Sequence, residues 1–282
     1  MARTLFVSDM DGTLLGGDAR LSAETVSLLN RLAEKGGMFT VATARTAATV
    51  EPLLAGVRTS LPAIVMTGAG LWHRDTRTYS DLHYIPRDIV LHFQRHFGEV
   101  GLHPFDYVLR PDGMMTVYHG GAALSRPEAE FVAQRDRLPL KHFELGGFAP
   151  PEALDNHILV FGMGDAGQVH SVARRLEPLG CAMSVYSDTY TPGLALIELF
   201  APGVSKAAAV SKLKADTGAD RLVVYGDNLN DLPMLAVADV AVAVENACPE
   251  VRAAADIVIG ANTASSVARH ALMMHAESLK NC

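Results

Sequence analysis

Apolar residues recur along this chain in short runs separated by stretches of helical spacing, and the first run is informative. Leu5, Phe6 and Val7 form an unbroken apolar stretch that closes on Ser8 and Asp9. A short run of this kind, bounded by polar turn residues, reads as a buried strand. Beyond it, Val26, Leu29, Leu32 and Ala33 fall at helical spacing. Ser22 supplies an N-cap and Gly36-Gly37 a stop, so a helix is predicted through Lys35. Met38 to Ala42 reads as the next strand, Thr46 to Leu54 as a helix, and Ala63 to Met66 as a third strand. This β-α-β-α-β order predicts a parallel sheet with helices on both faces.

The C-terminal part repeats the pattern. Leu196 to Phe200 reads as a strand, and Ser205 caps a helix ending near Gly218. Leu222 to Tyr225 is a strand, Leu232 to Val237 a short helix, and Val240 to Val244 and Asp256 to Ile259 are short strands. A last helix runs from about Ala264 to Ser278. The middle differs. It holds a helix over Arg87 to Glu99, strands at Phe105 to Leu109 and Met115 to Tyr118, a helix near Pro127 to Arg137, and a β-α-β unit from His157 to Tyr186. The expected fold is therefore α/β: a doubly wound, Rossmann-like parallel sheet core from residues 1–80 and 189–282, with an inserted α+β domain at 81–188.

Composition narrows the function classes. The 282 residues are enough for two domains. The net charge of −7 comes without a basic run, so nucleic acid is not an expected partner. An acidic protein that handles an anionic substrate must supply its cations locally. The 3 cysteines, Cys181, Cys248 and Cys282, have neither disulfide nor zinc spacing, which fits a cytoplasmic setting. Asp9 and Asp11 interrupt any N-terminal leader, and no apolar run reaches the ~18 residues that span a bilayer, so no membrane partner is expected. The chain lacks a coiled-coil heptad, and a monomer or weak homo-oligomer is expected.

Candidate chemistry gathers where predicted strands end. Asp9-Met10-Asp11-Gly12-Thr13 places two carboxylates one residue apart after the first strand. Such close charges need a cation, a shared proton or separated pKa values, and hard oxygen ligands suit Mg²⁺. Thr43, followed by Ala44 and Arg45, closes the second strand. Lys206 follows Pro202-Gly203-Val204-Ser205 in the first turn of a helix. Gly226-Asp227-Asn228-Leu229-Asn230-Asp231 adds two carboxylates just past a later strand. In open α/β sheets that edge is where sites form.

In order and spacing these four segments resemble the motifs of the haloacid dehalogenase superfamily, and best its Cof-type phosphatases with a type IIB (C2) cap. The long interval between Thr43 and Lys206 is where such a cap is inserted. The resemblance implies a phosphatase acting on a small phosphorylated metabolite, a sugar phosphate or similar monoester, through an aspartyl-phosphate. It implies Asp9 as nucleophile and Asp11 as acid–base. It implies Mg²⁺ on Asp9, the Asp11 carbonyl and Asp227. Thr43, the Ala44 amide, Lys206 and Asn230 would bind phosphate, and Asp231 would orient Lys206 or a metal-bound water. The cap would set specificity, with Arg110, Asp112 and Tyr118 as candidates. The chain departs from the family where Gly is usual, at Ala44, Ala207 and Ser266, and has Thr67 where Asn is common before Gly68-Ala69.

Other readings compete. A phosphomutase would share the nucleophile. Gly162-Met163-Gly164-Asp165-Ala166-Gly167, after an apolar strand and with Asp188 further on, matches a dinucleotide fingerprint and so an oxidoreductase. The plainer reading is a strand-to-helix turn in the inserted domain. His92 and His96 share a helical face without the glutamate of a zincin and read as a surface pair.

Overall fold

The computed structural model describes residues 3–121, 123–188 and 191–280; Cys282 lies outside them. The chain divides into two compact units, one of Met1–Ser80 with Ser205–Cys282, the other of Asp81–Val204.

The first unit opens with β1 (Thr4–Ser8), α1 (Ala23–Glu34), β2 (Met38–Val41), α2 (Ala47–Leu53) and β3 (Ala63–Val65). A hairpin of β4 (Gly70–His73) and β5 (Thr78–Ser80) follows. In the second unit come α3 (Arg87–Glu99), β6 (Phe105–Leu109), β7 (Met115–His119), α4 (Arg126–Ala133), β8 (Lys141–Leu145), β9 (His157–Asp165), α5 (Ala166–Leu176), β10 (Ala182–Ser187) and β11 (Leu194–Phe200). The first unit resumes with α6 (Lys206–Thr217), β12 (Arg221–Gly226), α7 (Leu232–Ala236), β13 (Val240–Val244), α8 (Pro249–Ala254), β14 (Ile257–Ile259) and α9 (Ser266–Lys280).

The first unit is built on a five-stranded sheet of order β14-β13-β12-β1-β2, parallel throughout. A parallel bridge from Ala42 to Ile64 ties β3 to the end of β2. The central strand β1 is paired on both edges, and Leu5, Phe6 and Val7 are fully buried. This explains why its sequence is a continuous apolar run rather than an alternation. Each of those side chains contributes about 2 kcal/mol of burial. Helix α1 starts as its sequence foretells: the Ser22 hydroxyl accepts from the Thr25 amide, while Leu29 and Leu32 are buried.

The second unit has a mixed sheet of order β10-β11-β9-β6-β7-β8. Strand β11 corrects the expected boundary at residue 188. It pairs antiparallel with β9 and β10 and so belongs to this sheet, not to the parallel core. An apolar run looks the same in either sheet, and only the hydrogen-bonding partner tells them apart. The β4–β5 hairpin and β8 are further strands that the sequence pattern does not announce.

The glycine-rich segment turns out to be a packing device. Gly162 and Gly164 lie inside β9, where a Cβ would meet the Phe97 ring at 2.4 Å or Leu102 at 2.5 Å. Strand β9 is antiparallel to both its neighbours, and Asp165 caps α5 by accepting from the amides of Gly167 and Gln168. No glycine turn is left to cradle a pyrophosphate, so the dinucleotide reading fails. The histidine pair is also explained: Arg95 lies 3.0 Å from His92 Nδ1 and 3.3 Å from His96 Nε2. The cap candidates are dispersed. Arg110 and Asp112 form an exposed ion pair of 3.3 Å in the β6–β7 turn. Tyr118 pairs with Asp106, on the sheet face opposite Tyr107.

Candidate active site

Strands β1, β2 and β12 are adjacent and parallel, so their C-terminal ends reach one edge of the sheet together. Asp9, Thr43 and Asp227 each follow one of these ends. The edge also receives the first residue of α6, Lys206, and the end of the short 3-10 turn Leu229–Asp231.

Lys206 organises the cluster. It is buried, and its Nζ donates to Asp9 Oδ1 at 2.5 Å and to Asp231 Oδ1 at 2.8 Å. Asp231 is fully buried, and its other oxygen accepts from the amides of Asp227 and Asn228. Both of its oxygens are thus engaged, which makes it the fixed support of Lys206. Asp227 Oδ1 accepts from the Thr13 hydroxyl at 2.7 Å. Carboxylate oxygens of Asp9, Asp227 and Asp231 lie within 4.8 Å of one another.

Electrostatics follow from this packing. Burial, with the charges of Asp231 and Asp227, pushes the Asp9 carboxyl up to about 7, although Lys206 pulls the other way. Burial first, and Asp231 next among the charges, push Asp227 up to about 6 despite the Thr13 hydrogen bond. Lys206 is itself penalised by burial, but attraction from Asp9 and Asp231 outweighs the penalty and holds it protonated. Three carboxylates against one lysine leave a surplus of negative charge. The donors are hard oxygens on rigid strand ends, so the residues fit a divalent cation of the Mg²⁺ type.

The loop after β1 is held from several sides. Gly12 has φ of +78°, and a Cβ there would lie 2.3 Å from Asp227 Oδ2, so this position requires glycine. Asn246 donates to the Gly12 carbonyl at 2.8 Å. Thr43 is buried; its amide donates to the Ile64 carbonyl, and its own carbonyl accepts from Thr67 N. Ala44 does not have a positive φ, so the departure from glycine carries no backbone strain. Ala207 and Ser266 stand in the first turns of α6 and α9 and do not need glycine either. Thr67 is different: it sits at φ +58°, next to Met66 at φ +49°.

Not every expected residue joins the cluster. Asn230 is exposed, and Asp11 turns its carboxylate to Arg45, which donates from Nε at 2.7 Å and from Nη2 at 2.6 Å. Arg45, Thr13 and Asn246 are the residues the motif reading passed over. Arg45 and Thr13 stand inside the motif segments and could have been flagged; Asn246 carries no sequence signal.

Comparison with known proteins agrees with this arrangement. The model of the haloacid dehalogenase-like hydrolase family matches residues 6–270. The chain is 25% identical to the pyridoxal phosphate phosphatase YbhA of Escherichia coli K12, covering 95% of this chain and 97% of that protein. It is 28% identical to an HMP-PP phosphatase of Serratia proteamaculans, covering 86% and 84%. A solved haloacid dehalogenase-like hydrolase from Bacteroides thetaiotaomicron superposes with a TM-score of 0.77 at 22% identity, over 96% of this chain and 99% of that one. A buried Asp–Lys–Asp core at the carboxyl edge of a parallel sheet, with a second domain inserted between its motifs, places the chain in the haloacid dehalogenase-like hydrolase family, among its Cof-type phosphatases.

Proposed function

We propose that this protein is a Mg²⁺-dependent phosphatase that hydrolyses a small phosphate monoester through an aspartyl-phosphate on Asp9. The observation that carries the reading is the buried cluster in which Lys206 joins Asp9 to Asp231 beside Asp227. Asp9, Asp227 and the backbone carbonyl of Asp11 would hold the cation. When bound, it would neutralise negative charge on the phosphoryl group.

The residues divide the remaining work. Lys206 fixes Asp9 Oδ1, which leaves Oδ2 to attack phosphorus while the bond to the leaving alcohol breaks. Asp11 gives the departing oxygen its proton, then takes one from the water that attacks the phosphorus of the aspartyl-phosphate. That second attack returns Asp9 and releases inorganic phosphate. The Thr43 hydroxyl, the Ala44 N–H and Lys206 hold the phosphoryl oxygens, with Asn230 as an outer donor. The relatives named for pyridoxal phosphate and HMP-PP support a phosphorylated small metabolite as substrate.

The test is a screen of phosphorylated metabolites with and without Mg²⁺, repeated with Asp9→Asn. Wild type should release phosphate only with Mg²⁺, and the variant should lose at least about 10³-fold in kcat while melting normally. Near-wild-type turnover by folded Asp9→Asn rules the mechanism out.

A further inference from the structure

The loop after β1 carries the Asp11 carbonyl and the Thr13 hydroxyl that donates to Asp227, and a glycine stands between them. Asp11 has φ −77° and ψ 120°, and Gly12 has φ +78° and ψ −11°, the angles of a type II turn. The Asp11 carbonyl belongs to the central peptide of that turn. Glycine meets the steric demand at this point, but it is also the residue least able to resist backbone rotation. Rotation about Gly12 would turn the Asp11 carbonyl and carry Thr13 away from Asp227. The hold on this peptide has to come from outside the loop.

It comes from the loops after β13 and β14. Asn246, just beyond β13, donates from Nδ2 to the Gly12 carbonyl at 2.8 Å. Its Oδ1 accepts from the Asn262 amide at 2.9 Å. Asn262, just beyond β14, donates from its own Nδ2 to the Leu15 carbonyl at 2.7 Å. Two asparagines linked in series thus grip the loop at Gly12 and at Leu15. A carboxamide suits this task because one side chain offers both a donor and an acceptor. The same β13 loop also reaches Asp227, whose carbonyl accepts from the Cys248 amide at 2.9 Å. In the sheet β12 lies between β13 and β1. The β13 loop therefore spans the end of β12 and ties together the strand ends that carry Asp227 and Asp9.

Asn246 is exposed, and exposed polar side chains seldom decide global stability. What this one fixes is the orientation of a single peptide. We propose that Asn246, braced by Asn262, is a positioning residue for the divalent cation: it sets the Gly12 peptide so that the Asp11 carbonyl and, through Thr13, the Asp227 carboxylate meet the cation together. The proposal rests on the reading of Asp11 and Asp227 as cation ligands. Groups that orient metal ligands change metal affinity by roughly 10–100-fold, and an exposed one belongs at the lower end.

The test compares wild type, Asn246→Ala and Asn262→Ala by calorimetric titration with Mg²⁺. Asn246→Ala should raise the Mg²⁺ Kd about tenfold, and Asn262→Ala, which keeps the contact to Gly12, by about threefold. In EDTA both variants should melt within about 2 °C of wild type. With p-nitrophenyl phosphate, the Mg²⁺ concentration for half-maximal rate should rise in parallel, while KM at saturating Mg²⁺ stays within about twofold. An unchanged Mg²⁺ Kd in Asn246→Ala overturns the proposal. So does a fall in metal-free Tm with no change in Kd, which would make the asparagines a structural tie only. A readout without metal is hydrogen exchange in EDTA: the Leu15 amide, which donates to the Met10 carbonyl at 2.8 Å, should exchange severalfold faster in Asn246→Ala. Equal exchange would show that Asn246 does not hold the loop. Wild type that binds no Mg²⁺ and turns over no p-nitrophenyl phosphate would refute the phosphatase reading and with it the cation role of Asn246, whereas failure of the proposal alone shows only in the variants.

Discussion

Arg45 is the residue whose role changes most between the linear motif and the folded chain. It follows Thr43 and Ala44 as part of a segment expected to bind phosphate, yet its fork closes on the Asp11 carboxylate in two parallel bonds. Only a planar guanidinium makes that bidentate contact. If the contact aims Asp11 for proton transfer, Arg45→Met should lower kcat by about 10–100-fold. Arg45→Lys should recover only part of the loss, because it restores charge without the fork. Stability should hardly change, since partly exposed ion pairs contribute less than ~1 kcal/mol. Wild-type kcat in Arg45→Met would show that the pair is incidental. Thr67 supports a second prediction at this scale. A β-branched residue in the left-handed region is strained by about 1 kcal/mol, and asparagine tolerates that conformation better. Thr67→Asn should therefore raise Tm by about 2–4 °C. An unchanged or lower Tm would mean that the Thr67 side chain offsets its own strain.

Individual elements show how firmly the site is anchored. Strand β1 is fixed by its apolar run, so Asp9 emerges at the sheet edge as a consequence of the strand's own burial. The loop after β3 is held against the loop after β2 by Thr67 N to Thr43 O at 2.9 Å and Met66 N to Arg45 O at 3.0 Å. It is also pressed against the start of α6, because a Cβ on Gly68, at φ +100°, would lie 2.5 Å from the Ser205 carbonyl oxygen. That carbonyl precedes Lys206 directly. Gly68→Ala should accordingly displace the α6 N-terminus, cost about 1–3 kcal/mol, and reduce kcat through Lys206. Circular dichroism melts with steady-state kinetics would check this, and a variant that is both fully stable and fully active would contradict it.

At the scale of the whole molecule, the acidic cluster links protons to folding. Asp9 and Asp227 have native pKa values of about 7 and about 6, above the 3.8 of a free aspartate. Between those limits the native state holds more protons than the unfolded chain. The stabilisation from this source is complete below about pH 4 and is lost as pH rises through 6 to 7. If Mg²⁺ binds here as proposed, it competes with those protons, and its effect should have the opposite trend. Thermal melts in EDTA and in excess Mg²⁺ should diverge with pH, with little difference near pH 5 and about 5–10 °C at pH 7.5. Asp227→Asn should flatten the difference. A Mg²⁺ shift of equal size at both pH values would separate metal binding from these carboxylates.

The division between what was legible in the chain and what was not has a physical basis. Strand ends, caps and turn glycines are local, so Asp9, Thr43, Lys206 and Asp227 could be placed at one sheet edge from their neighbours in sequence. Burial of β1 likewise needed only its apolar run. The partner of β11 was not local: its seven residues suit either sheet, and antiparallel pairing with β9 decided the matter. The same holds for Asp11, whose carboxylate could have faced the cation until the β2 loop brought Arg45 within 2.7 Å. It holds for Asn246, which reaches Gly12 across 234 positions of chain. Sequence alone determined which groups stand at the ends of which elements, because backbone conformation and burial pattern are set by near neighbours. Tertiary structure alone decided which of those groups meet, because distance, desolvation and charge pairing depend on segments far apart in the chain.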